Sequence, residues 1–161
     1  MTLVKEEAQQ TAVSDKDGIA FLKDKLQKVI CDTTEEMLDP LLEVMAELDL
    51  DIAKAPSPGL LMMNIRDSDD TVFHLGEVLV TQAEVKRNGQ TGFGCSQGDR
   101  PNAALALACL DALCHCEIPH LLKTSITKEI NHIDRWVSIQ RNTKSQITAT
   151  TQVNFHSMAK E

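Results

Sequence analysis

Residues that could take part in chemistry are concentrated in a glycine-rich segment near the middle of the chain. Its sequence, Gly92-Phe-Gly-Cys-Ser-Gln-Gly98, fits G-x-G-x-x-x-G and comes just before a predicted helix. Backbone amides at a helix N-terminus attract anions, so Gln97, Gly98 and Arg100 could contact an anion or substrate. However, the preceding strand belongs to a predicted hairpin, and no Lys-Ser/Thr pair follows as a Walker loop requires. The pattern favours a tight strand-to-helix bend, with a small nucleotide-binding domain as an alternative.

A second candidate site is the segment Cys114-His-Cys116, which has His120 nearby. Side chains two residues apart in a helix point to different sides, so both thiols can bind one ion only if the helix has already ended. We therefore predict structural thiols and no metal site. The alternative is a stand-alone metal or sulfur carrier that uses Cys95 together with Cys114 and Cys116.

No complete catalytic set can be named from the sequence. No serine lies in a G-x-S-x-G elbow, and no Cys–His pairing is evident. Asp99 and Arg100 could act as an acid and an anion binder, but charged residues at a helix start more often act as caps and dipole partners. We predict no catalytic residue and no cofactor in this chain.

Composition and charge argue against several classes of partner. The 161 residues carry a formal net charge of −8, and only 3% are aromatic. Binding to nucleic acid needs clustered Lys and Arg, and stacking on single strands needs aromatic rings. No apolar run approaches the roughly 20 residues that span a bilayer, and the N-terminus lacks the apolar core of a signal peptide. We predict a cytoplasmic protein that binds neither nucleic acid nor membrane, with five reduced cysteines.

The first part of the chain predicts a tail followed by helices. Residues 1–16 are polar and aperiodic, which predicts a flexible N-terminal tail. Residues 17–161 should form a single domain, since this length is typical of one domain. Apolar residues recur at three- and four-residue steps from Asp17 onwards, which predicts a helix.

The start of a second helix has two candidate positions. Thr33 and Glu36 have the spacing of a capping box, whereas Asp39-Pro40 offers an aspartate cap with proline at the first helical position. The segment Ala55-Pro-Ser-Pro-Gly59 is predicted to break the chain before the strands begin.

Three strands follow in the sequence pattern, at residues 60–65, 72–86 and 91–96. The pair Asn88-Gly89 is a hairpin signal between the last two strands. Imperfect alternation predicts a bulge near Gly76. No helix intervenes to make a parallel crossover, so the strands should form an antiparallel meander.

The remaining residues predict two more helices. Residues 100–116 are rich in alanine, a strong helix former whose small side chain allows close packing. Apolar residues between 126 and 137 recur at helical steps, and residues 147–155 fit a helix or a strand equally well. The predicted class is α+β, an antiparallel sheet of about three to four strands with helices packed on it and a long C-terminal helix.

The central segment resembles the G subunit (PhnG family) of the carbon–phosphorus lyase system. The resemblance covers roughly residues 20–158, and the glycine spacing, the helix and the ending agree in order. The residues that carry it are Gly76-Glu77, Thr81, Asn88-Gly89, Gly92, Gln97-Gly98, Ala108-x-x-Asp111-Ala112-Leu113 and Val153-x-Phe155-x-x-Met158. Pro101, Cys95 and the Cys114-His-Cys116 segment are not features of that family.

The resemblance implies a role in the use of organic phosphonates. In that family the subunit assembles with the H, I and J subunits. With the H, I and L subunits it supports displacement of adenine from MgATP by an alkylphosphonate. The nucleosidase-like chemistry is attributed to the I subunit, and no catalytic residue is assigned to the G subunit.

The resemblance also implies expectations about surfaces. The I subunit is the expected direct contact, through the long C-terminal helix and the alanine-rich helix. A stable contact of this kind buries roughly 2,000 Å² or more. An isolated chain should therefore form a homodimer or expose an apolar patch larger than a few hundred Å².

Overall fold

The computed structural model describes residues 18–114 and 116–150, and it confirms the α+β class. The predicted tail at 1–16 and residues 151–155 lie outside this range, and the single domain at 17–161 stays a prediction. Single 3₁₀ turns at Ile30–Asp32 and Glu36–Leu38 connect the first two helices. The helices are α1 (18–29), α2 (Asp39–Ala46), α3 (Pro101–Leu113) and α4 (His120–Thr150), and the strands are β1 (Asp51–Arg66), β2 (Val72–Arg87) and β3 (Gln90–Gln97).

The three strands form the predicted antiparallel meander in the order β1-β2-β3. Asn88 and Gly89 have φ values of 51° and 79°, as the two central residues of a type I′ hairpin turn require. The predicted bulge is confirmed at its expected place. Met63 pairs with Gly76 and Asn64 pairs with His74, which leaves one extra residue in β2.

The prediction of a chain break at Ala55-Pro-Ser-Pro-Gly59 is wrong, because these residues lie inside β1. Among the described strands, β1 pairs only with β2, so β1 is an edge strand of the sheet. Proline is tolerated on an edge strand and at bulges, where its missing N–H leaves no ladder bond unmade. The register of β1 is irregular between Ile52 and Lys54 and again between Lys54 and Ser57, next to the first proline.

Helix α2 begins at Asp39-Pro40, one of the two predicted positions, but neither predicted cap is formed. The hydroxyl of Thr33 donates to the carbonyl of Val29 at 2.9 Å, so it closes the end of α1. Asp39 is the first residue of α2, and Leu38 before it makes no side-chain capping bond. The Asp39 carboxylate instead accepts a hydrogen bond from Asn102 Nδ2 at 2.8 Å, which links α2 to the start of α3.

Helix α3 lies directly on β3, and two glycines make this approach possible. A Cβ placed on Gly94 would lie 1.9 Å from the carbonyl oxygen of Ala104 and 2.5 Å from the amide nitrogen of Ala108. A Cβ placed on Gly92 would lie 2.2 Å from the amide nitrogen of Ala112. Contacts shorter than 3 Å are steric overlaps, so only glycine fits at both positions. The prediction that the alanine-rich helix packs closely is confirmed.

The core is formed where α3 lies between the sheet and the other helices. Nine of the thirteen residues of α3 are buried. α4 contributes a buried stripe at helical spacing, Ile126, Ile130, Ile133 and Val137. This chain itself covers most of the apolar surface of α3, and the contact of α3 with a partner stays a prediction.

The far end of α4 leaves the core. Residues 138–150 are helical and exposed throughout. The sequence pattern left helix and strand as alternatives for this segment. The chain is helical up to Thr150. Arg141 attaches this part of α4 to the end of α1, since it donates to Asp32 Oδ2 at 2.7 Å and to the carbonyl of Lys28 at 2.9 Å.

Candidate functional site: the glycine bend and the hairpin arm

The glycine-rich segment ends in a bend whose polar groups bond to one another. Gly98 has a φ of +87°, which favours glycine. Its amide donates to the carbonyl of Leu79 at 2.8 Å, and its carbonyl accepts from the hydroxyl of Thr81 at 2.7 Å. The same hydroxyl accepts from the amide of Arg100 at 2.9 Å. Thr81 therefore holds both sides of the bend together.

The side chain of Arg100 points into the fold. Its Nε donates to Glu35 Oε1 at 3.0 Å, and its two terminal nitrogens donate to the carbonyls of Ile30 and Thr33. Only 16% of this side chain is exposed. The guanidinium thus fixes the α1–α2 connection to the start of α3.

Glu35 occupies the position at the N-terminus of α3 where an external anion would bind. Its Oε2 accepts a hydrogen bond from the backbone N–H of Asn102 at 2.7 Å, while Oε1 is paired with Arg100. A carboxylate at this place is stabilised by the helix dipole. The structure brings Gln97, Gly98 and Arg100 together at one bend, and their contact with a substrate or anion stays a prediction. Any such anion has to compete with Glu35.

The cysteines occupy separate surroundings. Burial raises the pKa of Cys109 to about 12, and burial also raises the pKa of Cys114, so both favour the neutral thiol. Cys116 lies 3.8 Å from the carbonyl of Arg87, and Cys95 is exposed. Within residues 18–114 and 116–150, no group of three or more His, Cys, Asp or Glu side chains could hold a metal ion. The metal-carrier alternative is therefore not favoured.

The second feature of interest is a long ribbon made by the far parts of β1 and β2, residues 60–79, which we call the hairpin arm. β3 pairs with β2 only between Val80 and Arg87. Beyond Val80 the sheet is therefore two strands wide. Nine large apolar side chains of the arm are each 37–66% exposed: Leu60, Leu61, Met62, Met63, Ile65, Val72, Phe73, Leu75 and Leu79.

Apolar side chains lie on both faces of the hairpin arm. Leu60 pairs with Leu79, and the next position pairs Leu61 with Val78. Successive residues of a strand point to opposite faces, so these two cross-strand pairs lie on opposite sides of the ribbon. A surface hairpin normally keeps one face polar. The hairpin arm therefore exposes apolar surface on both sides.

The tip of the hairpin arm is an ordered acidic turn. Asp67 Oδ1 accepts hydrogen bonds from the amides of Asp69 and Thr71 at 2.9 and 3.0 Å. Arg66 is paired with Asp70 at 2.7 Å. The side-chain bonds of Asp67 follow the usual Asx-turn pattern and hold the turn in one conformation.

Comparison with known families identifies the chain. The family model described as "Phosphonate metabolism protein PhnG" matches residues 23–160. The chain belongs to the PhnG family. The predicted resemblance is thereby confirmed, and the chain has a role in phosphonate metabolism.

No curated protein sequence matches the chain as a relative. Among the helices formed by the described residues, none is long and apolar enough to cross a membrane.

Sequence reasoning missed two structural features of the candidate sites in this PhnG family member. The first is Glu35, because its contact with Arg100 joins residues 65 positions apart and no local pattern encodes it. The second is the exposure of the hairpin arm. Here a signal existed in the sequence, since the predicted second strand at 72–86 is much longer than the predicted third strand at 91–96. A third strand this short cannot cover the whole length of the second.

Proposed function

We propose that this chain is the G subunit of the carbon–phosphorus lyase core complex in organic phosphonate catabolism. In this role it supports the transfer of an alkylphosphonate to ATP with release of adenine, as a subunit of alpha-D-ribose 1-methylphosphonate 5-triphosphate synthase. The observation that carries the proposal is the family match over residues 23–160.

The proposed contribution of this chain is assembly. Its proposed partners are the H, I, J and L subunits, with the I subunit as the direct contact, and the complex works in the cytoplasm. MgATP is a substrate of the assembled complex, and we assign no cofactor to this chain. Two features support a scaffold role: Arg100 and Glu35 at the bend bind each other, and the hairpin arm exposes apolar side chains on both faces.

Co-expression tests the proposal. The tagged chain is expressed with the H, I and J subunits, and we expect all four to be recovered together in equal amounts. A chain recovered alone would contradict the proposal.

An activity measurement tests the second half of the proposal. The ribose 1-methylphosphonate 5-triphosphate formed from MgATP and methylphosphonate is measured by chromatography with the H, I and L subunits, with and without this chain. We expect this product only when the chain is present. Equal product formation in its absence would contradict a supporting role in the transfer reaction.

A further inference from the structure

We propose that the hairpin arm (residues 60–79) enters a cleft of a different subunit, which contacts both faces with apolar side chains and meets the acidic tip with basic ones. This inference rests on the proposed function and specifies the surface that carries it. The arm is inserted as a preformed element, while the α-helical body remains outside the cleft.

The exposed area of the hairpin arm matches that of a stable interface. Its nine large apolar side chains are each about half exposed. If each of the nine is given about 150 Å², the lower end of the range for a fully buried aromatic side chain, half exposure amounts to roughly 700 Å² in total. A typical stable interface buries about 800 Å² per partner, whereas the largest patch of a typical monomer is about 300–600 Å². The arm thus offers nearly a full interface by itself.

The distribution of these side chains requires a cleft rather than a flat surface. Leu60 and Leu79 form a pair on one face, and Leu61 and Val78 form a pair on the other. A flat partner would cover only one of the two pairs and leave the other in water. A two-stranded ribbon is also marginally stable by itself, so contacts on both faces would stabilise the arm.

The ordered turn at the tip lowers the entropic cost of inserting the hairpin arm into a cleft. Asp67 closes the turn through two backbone amides, and Arg66 and Asp70 pair across its base. Farther down the arm, Asn64 and His74 are hydrogen-bonded across the two strands. An element that is already ordered loses less conformational freedom on binding.

The negative charge of the hairpin arm favours binding to a different protein over binding to a second copy of this chain. The hairpin arm carries one arginine, Arg66, against four carboxylates, Asp67, Asp69, Asp70 and Glu77, which leaves a formal net charge of −3 with histidine neutral. The whole chain carries −8. Association of two copies would bring like charges together, whereas a cleft with a basic end would attract the tip.

Variants on the two faces of the hairpin arm test the apolar part of the proposal. Leu60→Asp and Leu61→Asp are each co-expressed with the H, I and J subunits, and the affinity of the purified chains for these subunits is measured. Loss of an interface anchor costs about 2 kcal/mol or more, so we expect each variant to bind at least about 30-fold more weakly. Phe21→Asp is the matched control, because Phe21 on α1 is 66% exposed, like Leu60, and lies outside the hairpin arm.

The charge of the hairpin arm is tested by the double variant Asp69→Lys, at the tip, with Glu77→Lys, nearer the base. It changes the net charge of the hairpin arm from −3 to +1, and we expect at least a tenfold loss of affinity for the H, I and J subunits. Glu43→Lys with Glu47→Lys makes the same change of charge on exposed positions of α2 and its end, and we expect an affinity within threefold of wild type. Equal effects of the two pairs would contradict a basic end in the cleft.

The outcomes separate this inference from the proposed function. If the wild-type chain fails to bind the other subunits, both are wrong. If the wild-type chain binds and both arm variants bind within threefold of it, only the inference about the arm is wrong. Weakening by Leu60→Asp alone or Leu61→Asp alone would replace the cleft by a one-sided contact and overturn the proposal.

A second copy of the chain as the occupant is tested by light scattering. We expect the isolated wild-type chain to be a monomer at low micromolar concentration. A wild-type dimer that Leu61→Asp converts to a monomer would overturn the proposal in favour of a homodimer. Circular dichroism should show the same melting temperature for all variants, since the replaced side chains are exposed.

Discussion

At the scale of single residues, Gly94 shows how strictly the contact between α3 and β3 depends on the absence of a side chain. A methyl group there would meet the Ala104 carbonyl oxygen at 1.9 Å. Both atoms it would meet belong to backbone, so the helix itself has to move. We expect Gly94→Ala to lower the free energy of unfolding by about 3 kcal/mol, at the upper end of overpacking costs.

The matched control for Gly94→Ala is Gly59→Ala. Gly59 also lies in a strand, but a Cβ there meets nothing within 4 Å. We expect a change in the free energy of unfolding of less than about 0.5 kcal/mol, which is usual for surface substitutions. Urea denaturation of both variants measures the difference. If both variants lost the same free energy of unfolding, the close approach of α3 to β3 would not explain the effect of Gly94→Ala.

Cys109 makes stability depend on pH at the alkaline end. Burial raises its pKa from 9.0 to about 12. The unfolded chain therefore releases this proton at a lower pH than the folded chain does. The stabilising contribution is complete below pH 9 and is lost as the pH rises towards 12.

The measurement for Cys109 is the urea midpoint at pH 8, 9 and 10. We expect the midpoint of the wild-type chain to fall above pH 9, and that of Cys109→Ala to fall less steeply. Alanine removes the ionisable group and leaves a small apolar side chain. A wild-type slope that Cys109→Ala retains in full would assign the effect to other groups.

At the scale of elements, the N-terminus of α3 is where the predicted anion contact has to be decided. Glu35 holds this position through the Asn102 amide and through Arg100. Glu35→Gln keeps the shape of the side chain and removes the competing charge. If Gln97, Gly98 and Arg100 contact an anion, this variant should bind ATP at least about fivefold more tightly than the wild-type chain, because one like charge is removed.

Calorimetry with ATP on both proteins measures this effect. A matched control is Asp39→Asn, since Asp39 also bonds to Asn102 but through the side-chain amide. We expect Asp39→Asn to leave ATP binding unchanged. Absence of binding at millimolar ATP in both the wild-type chain and Glu35→Gln would contradict the predicted contact at the bend.

At the scale of the whole molecule, charge should govern how fast the chain meets its partners. A chain with a net charge of −8 and an acidic hairpin arm is attracted over long distances to a basic cleft. Raising the ionic strength from about 50 to 500 mM shortens the screening length several-fold. We expect the association rate with the H, I and J subunits to fall at least about tenfold, while the dissociation rate changes much less.

Biolayer interferometry at increasing salt measures both rates. The Asp69→Lys, Glu77→Lys variant is the control, because its hairpin arm no longer carries negative net charge. We expect it to lose most of the salt dependence of association. An association rate of the wild-type chain that does not respond to salt would contradict electrostatic attraction to a basic cleft.

The sequence by itself determined the features that depend on local pattern. The Asn88-Gly89 turn follows from residues that accept positive φ, and the bulge near Gly76 follows from broken alternation. The alanine-rich helix and the glycines predicted a close contact. The order of these motifs indicated the family. Each of these signals lies within a short stretch of chain, where backbone sterics and periodicity act directly.

Only the tertiary structure decided which surfaces are covered. It placed Glu35 at the start of α3, buried α3 between sheet and helices, and left the hairpin arm without a third strand. A sequence pattern specifies that a side chain is apolar, but burial depends on partners that are distant in the chain. The sequence therefore offered the glycine bend as a candidate site and gave no such role to the hairpin arm. In the fold, the Arg100 and Glu35 side chains at the bend are bonded to each other, and the apolar side chains of the arm remain exposed for a partner.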